Sequence, residues 1–145
     1  MMKLGMNTAI LGDLPLEEVA KYASSIGLES LETACWPVGK AERRYAGVTH
    51  IDVSTLTKEK AQEMLGMLAG YRLSLDSLAY SPNPLVGDEQ LRTFYFDHLK
   101  KVIHGASILG VKYVDTFIGK DHRLSISENM ELFKKYWPDI VRYAE

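Results

Sequence analysis

One cysteine in 145 residues, Cys35, excludes an intrachain disulfide and fits a reducing compartment, so a cytoplasmic location is expected. No apolar run approaches the roughly 18 residues that a membrane span needs. The opening Met-Met-Lys-Leu-Gly-Met-Asn lacks the apolar centre of a signal peptide. Charge of either sign is also scarce in excess, since 17 basic and 19 acidic residues leave a net −2. Nothing in that balance draws in a phosphate backbone or an anionic membrane, so no nucleic acid and no membrane are expected as partners. A glycine-rich phosphate loop is missing too. After the first apolar run the chain reads Asn7-Thr8-Ala9-Ile10-Leu11-Gly12-Asp13, with no G-x-G-x-x-G or Walker pattern.

What is present is ordinary for a globular domain: 46% apolar and 25% charged residues, enough for one sizeable core. Lys3 to Ile10 reads as a strand. Asp13 as N-cap, Pro15 in the first turn and Glu17 and Glu18 at the positive end of the dipole then open a helix. Leu16, Val19, Ala20, Ala23 and Ile26 give that helix its stripe, and Gly27 caps it. Leu28 to Ala34 is a second strand, in which Glu29 and Glu32 are unusual and face opposite sides. A long stretch without period runs from Cys35 to about Leu56, and loops of that length are often functional. Thr57 opens a second helix, striped by Ala61, Met64, Leu65 and Leu68 and ended by Gly70. Tyr71 to Tyr80 alternates as a third strand, and Ser81-Pro82-Asn83-Pro84 must be loop.

Asp88 starts the third helix, whose face carries Leu91, Phe94, Tyr95, His98, Val102, Ile103, Ala106 and Leu109 before Gly110 caps it. Val111 to Ile118 is a fourth strand. A fourth helix from near Ser127 turns Met130, Phe133, Trp137, Ile140, Val141 and Ala144 inward, with Pro138 expected to kink or break it. The order βαβαβαβα, with short turns after helices and long loops after strands, predicts an α/β fold of the (β/α)₈ TIM barrel type with its site at the strands' C-terminal ends. The last helix runs to Glu145 with no glycine cap and no return strand. Residues 1–145 are therefore expected to be the N-terminal half, four βα units, of a single barrel domain of roughly 250 residues.

Leu78-Ala79-Tyr80-Ser81-Pro82-Asn83-Pro84, Leu91 through Leu109-Gly110-Val111, and Asp115-Thr116-Phe117-Ile118-Gly119-Lys120-Asp121 together resemble the sugar phosphate isomerase/epimerase family. These are xylose isomerase-like barrels related to AP endonuclease family 2. Lys3-Leu4-Gly5-Met6-Asn7-Thr8 and Cys35-Trp36-Pro37 are similar as well. The resemblance implies a metal-dependent isomerase or epimerase that moves a proton on a sugar, sugar phosphate or inositol derivative. It implies a divalent ion, Mn, Mg, Co or Zn, held by carboxylates and a histidine at the ends of later strands. Those ligands would lie beyond Glu145, leaving none in this chain, which alone would be inactive.

Several residues are candidates for the site, each with a plainer reading beside it. His50 and Asp52, two apart in the long loop, would fall on one side of an extended segment and serve as an oriented base, or are a solvated pair. Trp36 offers a ring for the C–H face of a sugar, or packs at the barrel rim. Tyr80 and Asn83 sit at the end of the third strand, where the prolines stiffen the loop and Asn83 can meet a hydroxyl or simply form an Asn-Pro turn. Asp115, a lone carboxylate inside its strand, needs a partner, and either points into the barrel as a substrate-binding group or forms a structural ion pair with Lys120 or Arg123. Lys40, Arg43 and Arg44 form a loop cluster suited to a substrate phosphate or to solvent. Asp121-His122 reads as polar loop, His98 as a satisfied core histidine, and Cys35 as a small buried residue. Beside the isomerase stand two other readings, a phosphodiesterase on abasic DNA and a non-catalytic half-barrel or binding module. A half barrel exposes strand edges and an apolar surface, so a homo-oligomer is expected.

Overall fold

The computed structural model describes residues 2–39 and 45–145. Lys40, Arg43 and Arg44 lie outside the described residues. The elements follow the chain as β1 (Gly5–Asn7), α1 (Leu16–Ser25), β2 (Ser30–Ala34), α2 (Lys58–Gly70), β3 (Ser74–Ala79), α3 (Glu89–Leu109), β4 (Tyr113–Asp115) and α4 (Ile126–Ala144). The strands form one parallel sheet in the order β1-β2-β3-β4, which is half of an eight-stranded barrel. Among the described residues no helix is long and apolar enough to cross a membrane.

Two apolar clusters glue the helices to one side of the sheet. Leu31 and Leu73 pack with Ala20, Ala23 and Leu68 from α1 and α2. Leu78 and Tyr80 pack with Phe96, Leu99, Val102 and Ala106 of α3 and with Trp137 and Ile140 of α4. Each fully buried leucine here contributes about 1.5–3 kcal/mol by leaving water. The other side of the sheet carries Gly5, Asn7, Ser30, Glu32, Ala34, Ser77, Ala79, Tyr113 and Asp115, because side chains alternate along a strand. A slip in the β2–β3 register between Leu31 and Glu32 leaves Asp76 as an extra residue, pairing Leu31 with Leu75 but Glu32 with Ser77. That bulge switches β3 from one phase to the other and turns Ser77 toward the barrel interior.

The strands are shorter than expected. Asn7 ends β1 because its side chain accepts from the Ala9 amide and starts a 3-10 turn over Thr8–Leu11. Asp13 does not cap α1, since Pro15 occupies the N-cap with no side-chain bond. Gly27 ends α1 as expected, at φ 83, with Leu28 N–H to Ala23 C=O at 3.0 Å. Thr57, Asp88 and Ser125 cap the later helices through bonds to Lys60, Leu91 and Glu128. Phe94, Met130 and Val141, expected inward, are exposed. Pro138 does not divide α4, which runs on as one helix. The long stretch after β2 is not structureless either. Cys35 bridges Thr49, and Ala46, Val48, Ile51 and Val53 are buried beneath it.

Gly70 is the last residue of α2, yet the left-handed turn after it falls to Arg72, at φ 59. Arg72 N–H bonds Ala69 C=O at 2.9 Å and Leu73 N–H bonds Leu68 C=O at 3.0 Å, the closure that glycine makes without Cβ strain. Arg72→Gly is therefore expected to stabilise the chain by about 0.5–1 kcal/mol, read as a raised urea midpoint.

Candidate functional site

A cavity of about 460 Å³ opens at the C-terminal ends of the strands. Its floor is made of small residues, Ala34 and Ala79 from β2 and β3 and Ala9 from the turn after β1. Trp36, Tyr45 and Phe117 form its walls, and Asn7 and Ser81 supply polar atoms. The alanines leave room where larger side chains would fill a barrel core. The aromatic rings rise from the loops that follow β2 and β4.

Trp36 holds its place through a chain of rings. Its indole meets Tyr80 edge-on at 5.0 Å, and Tyr80 meets His98 edge-on at 4.6 Å. Tyr80 is fully buried, so it backs the wall of the cavity and does not line it. His98, from α3, directs Nε2 to the Cys35 carbonyl at 2.8 Å and so ties α3 to the end of β2. A carbonyl only accepts, so Nε2 carries the proton. Burial pushes the His98 pKa down, and pushes the Cys35 thiol up to about 12, which leaves it un-ionised. His98 and Cys35 thus stand as the sequence suggests, in the core.

His50 and Asp52 do not form a pair. Nε2 of His50 meets the Leu14 carbonyl at 2.9 Å and must donate to it. Nδ1 then accepts from the Thr8 hydroxyl at 2.8 Å, while the same Thr8 oxygen accepts from the Ala34 amide at 3.0 Å. His50 therefore ties the long loop to the turn after β1 and to the end of β2. Asp52 instead accepts from Ser54 N–H and from the Thr55 hydroxyl, each at 3.0 Å, in a turn leading to α2. Asn83 is likewise occupied. Its amide donates to the Lys120 carbonyl at 2.9 Å and accepts from the Lys120 N–H at 2.7 Å, joining the loops after β3 and β4.

Asp115 does not take Arg123 as its partner, because Asp121 holds that guanidinium at 2.8 Å and is itself held down to about 2 by it. Asp115 lies beside Glu32 on the open face of the sheet. Burial and the neighbouring Asp115 carboxylate raise the Glu32 pKa, against hydrogen bonds from Asn7 and Ser77 that lower it. The row Asn7, Glu32, Ser77 runs across β1, β2 and β3 at matching register. Sequence reasoning does not single out Glu32 and Ser77 as site residues. A signal for them exists nonetheless: the leucines of the third strand at 73, 75 and 78 change phase, as a bulge requires.

Protonation of half-buried His50 and buried His98 sets a pH dependence. Both have folded pKa values below that of an unfolded imidazole, so the unfolded state binds more protons below about pH 6.5. Their contribution is full above that value and is lost as the pH falls below it, which a thermal melt series across pH reads. Glu32, with a raised pKa, works in the opposite sense. His98→Gln keeps a donor for the Cys35 carbonyl but cannot titrate, so it is expected to flatten the dependence of Tm on pH.

No protein-family model matches the chain. It is 32% identical over 117 residues to the uncharacterized protein YfiH of Bacillus subtilis (strain 168), covering 78% of this chain and 34% of YfiH. Among solved structures it superposes on D-psicose 3-epimerase of Clostridium cellulolyticum H10, crystallised with D-tagatose. The TM-score is 0.65 at 13% identity, over 99% of this chain and 48% of the epimerase. A xylose isomerase domain protein of Planctomyces limnophilus gives 0.67 at 14% identity, over 98% and 50%. The chain has the fold of the first half of these α/β barrels. It spans about half the length of those barrels and about a third of YfiH. Within this half-barrel, the cavity occupies the strand ends where (β/α)₈ barrels carry their sites. Among the described residues no three of His, Cys, Asp or Glu gather to hold a metal ion. Glu32 and Asp115 are two carboxylates and fall short of a ligand set, so the described residues do not by themselves fit a divalent ion.

Proposed function

We propose that this chain supplies the first half of a carbohydrate isomerase or epimerase barrel, and that its share of the work is to seat the sugar. The observation that carries this reading is the 460 Å³ cavity walled by Trp36, Tyr45 and Phe117 at the strand ends. Sugars present apolar C–H faces that stack on aromatic rings, while their hydroxyls need the few polar atoms that Asn7 and Ser81 offer. Tyr80, His50 and Asn83 hold that cavity in shape, and Asp52 fixes the entry to α2. Asp115 and Glu32 lie on the same face of the sheet. The proton-transfer chemistry and any divalent ion, Mn, Mg, Co or Zn, belong to residues outside these four units.

D-tagatose is the probe to use first, given the epimerase that shares the fold. Trp36→Ala is expected to raise its dissociation constant roughly tenfold or more, with only a small change in unfolding midpoint. Unchanged affinity in Trp36→Ala would remove the cavity from the account. A binding module without catalysis is the second reading, resting on the cavity alone. It predicts the same loss of binding, and no turnover of D-tagatose when a barrel of this sequence is completed.

A further inference from the structure

Trp36 and Ala46 line a second cavity as well as the first, so the two adjoin. The second holds about 210 Å³. Pro37, Val38 and Gly47 of the long loop after β2 line it from one side, and Phe94 and Tyr95 of α3 from the other. These parts sit in the middle of the four units. β2 and β3 are the inner strands of the sheet, each with a strand on either side, and α3 has α2 and α4 beside it. Among the described residues, neither Phe94 nor Val38 belongs to the two apolar clusters that join helices to sheet. Phe94 is 51% exposed and Val38 72%, so both stand at the mouth of this cavity. The Phe94 and Tyr95 rings lie 6.0 Å apart, tilted by 55°. Large apolar groups left in water around a cavity mark a binding surface.

We propose that the second cavity takes an aromatic ring carried on the sugar through an oxygen link. The substrate class is then an aryl-substituted sugar in place of a bare monosaccharide. This inference rests on the reading of the first cavity as a sugar site. The shared wall favours a single linked ligand, because a ring tethered to a seated sugar meets the second cavity at high effective concentration. Size agrees. An apolar cavity of about 150 Å³ holds benzene, so 210 Å³ admits one ring and its link. Chemistry agrees as well. The described side chains that line the cavity are all apolar or aromatic, which suits a flat hydrocarbon ring. A second sugar would instead bring several hydroxyls, each needing a partner in the wall. Trp36, Phe94 and Tyr95 offer the ring edges and faces that an aromatic group prefers.

Calorimetric titration of the 145-residue chain tests this with the mono-O-benzyl ethers of D-tagatose, each set against its O-methyl counterpart. Ethers at the hydroxyls other than the anomeric one leave the carbonyl end of the sugar free. At least one benzyl ether is expected to bind roughly tenfold tighter or more than its methyl partner, as burial of a phenyl ring allows. Phe94→Ala is expected to remove most of that gain. Val38→Ser, outside every helix and strand, repeats the test from the other wall and stands in if Phe94→Ala fails to fold. If D-tagatose binds and no benzyl ether gains over its methyl partner, this inference falls while the sugar site stands. A gain that survives both substitutions overturns it likewise, because the ring then lies elsewhere. If D-tagatose and all its ethers fail to bind, the sugar reading falls and takes this inference with it.

Discussion

Tyr80→Ala is expected to cost about 3–5 kcal/mol of unfolding free energy, as emptying a buried aromatic site usually does. The residue is fully buried where the two strongest supports of the cavity meet. Its ring touches Trp36 on one side and His98 on the other, and its N–H bonds the Asp115 carbonyl at 3.0 Å, joining β3 to β4. Neither neighbour can collapse into the void freely. His98 is tied to the Cys35 carbonyl, and Trp36 is fixed at the cavity wall. Urea unfolding measures the loss. Under conditions where the variant stays folded, affinity for D-tagatose should also fall, because Trp36 loses its backing. Trp36→Ala is expected to show the reverse balance, with a large loss of affinity and a small loss of stability. A Tyr80→Ala variant as stable as wild type would show that Tyr80 is not the support described.

Gly119→Ala is expected to cost about 2–4 kcal/mol, combining left-handed strain with a clash that cannot relax. Gly119 has φ 80, and a Cβ there would lie 2.4 Å from Oδ1 of Asn83, 2.8 Å from Cδ of Pro84 and 2.9 Å from the Leu85 nitrogen. Two of those atoms belong to a proline ring and the backbone, so they do not move aside cheaply. The third is the acceptor by which Asn83 holds Lys120. The substitution therefore strains the turn and pries apart the loops after β3 and β4. Gly27→Ala is the control. Gly27 has nearly the same φ, 83, with nothing within 4 Å of its Cβ position, so only the conformational cost of about 1 kcal/mol remains. Equal losses in the two variants, by denaturation midpoint, would mean that the Asn83–Lys120 clamp contributes nothing.

The half-barrel is legible because its signals are local and repeated. Apolar stripes at helical spacing, caps at Thr57 and Asp88, and glycines at 27 and 110 all sit where the helices begin and end. Arg72 breaks the pattern after α2, since backbone closure by Leu73 and Leu68 over-rules the preference for glycine. Trp36 lines the cavity, but an aromatic ring before a proline at a strand end suits rim packing equally well, so its sequence context leaves the two roles open. The remaining site residues are harder to place, for a common reason. His50, Tyr80 and Asn83 are polar or aromatic groups near the strand ends, but each makes contacts with partners that no local spacing reveals, whereas Asp52 turns back on Ser54 and Thr55 just after it. Thr8 lies 42 residues from His50, and Lys120 lies 37 from Asn83. Glu32 hides for the opposite reason. A carboxylate inside a parallel strand looks misplaced until Asn7 and Ser77 are brought beside it by sheet register and a bulge.

The central claim is that the cavity at the strand ends receives a sugar, and amide and indole chemical-shift mapping during a D-tagatose titration tests it most directly. The account predicts saturable shifts centred on the Trp36 indole, Asn7, Ser81 and Phe117, with Trp137 on the far side of the core unmoved. Shifts scattered over the surface, or none at saturating sugar, would contradict it.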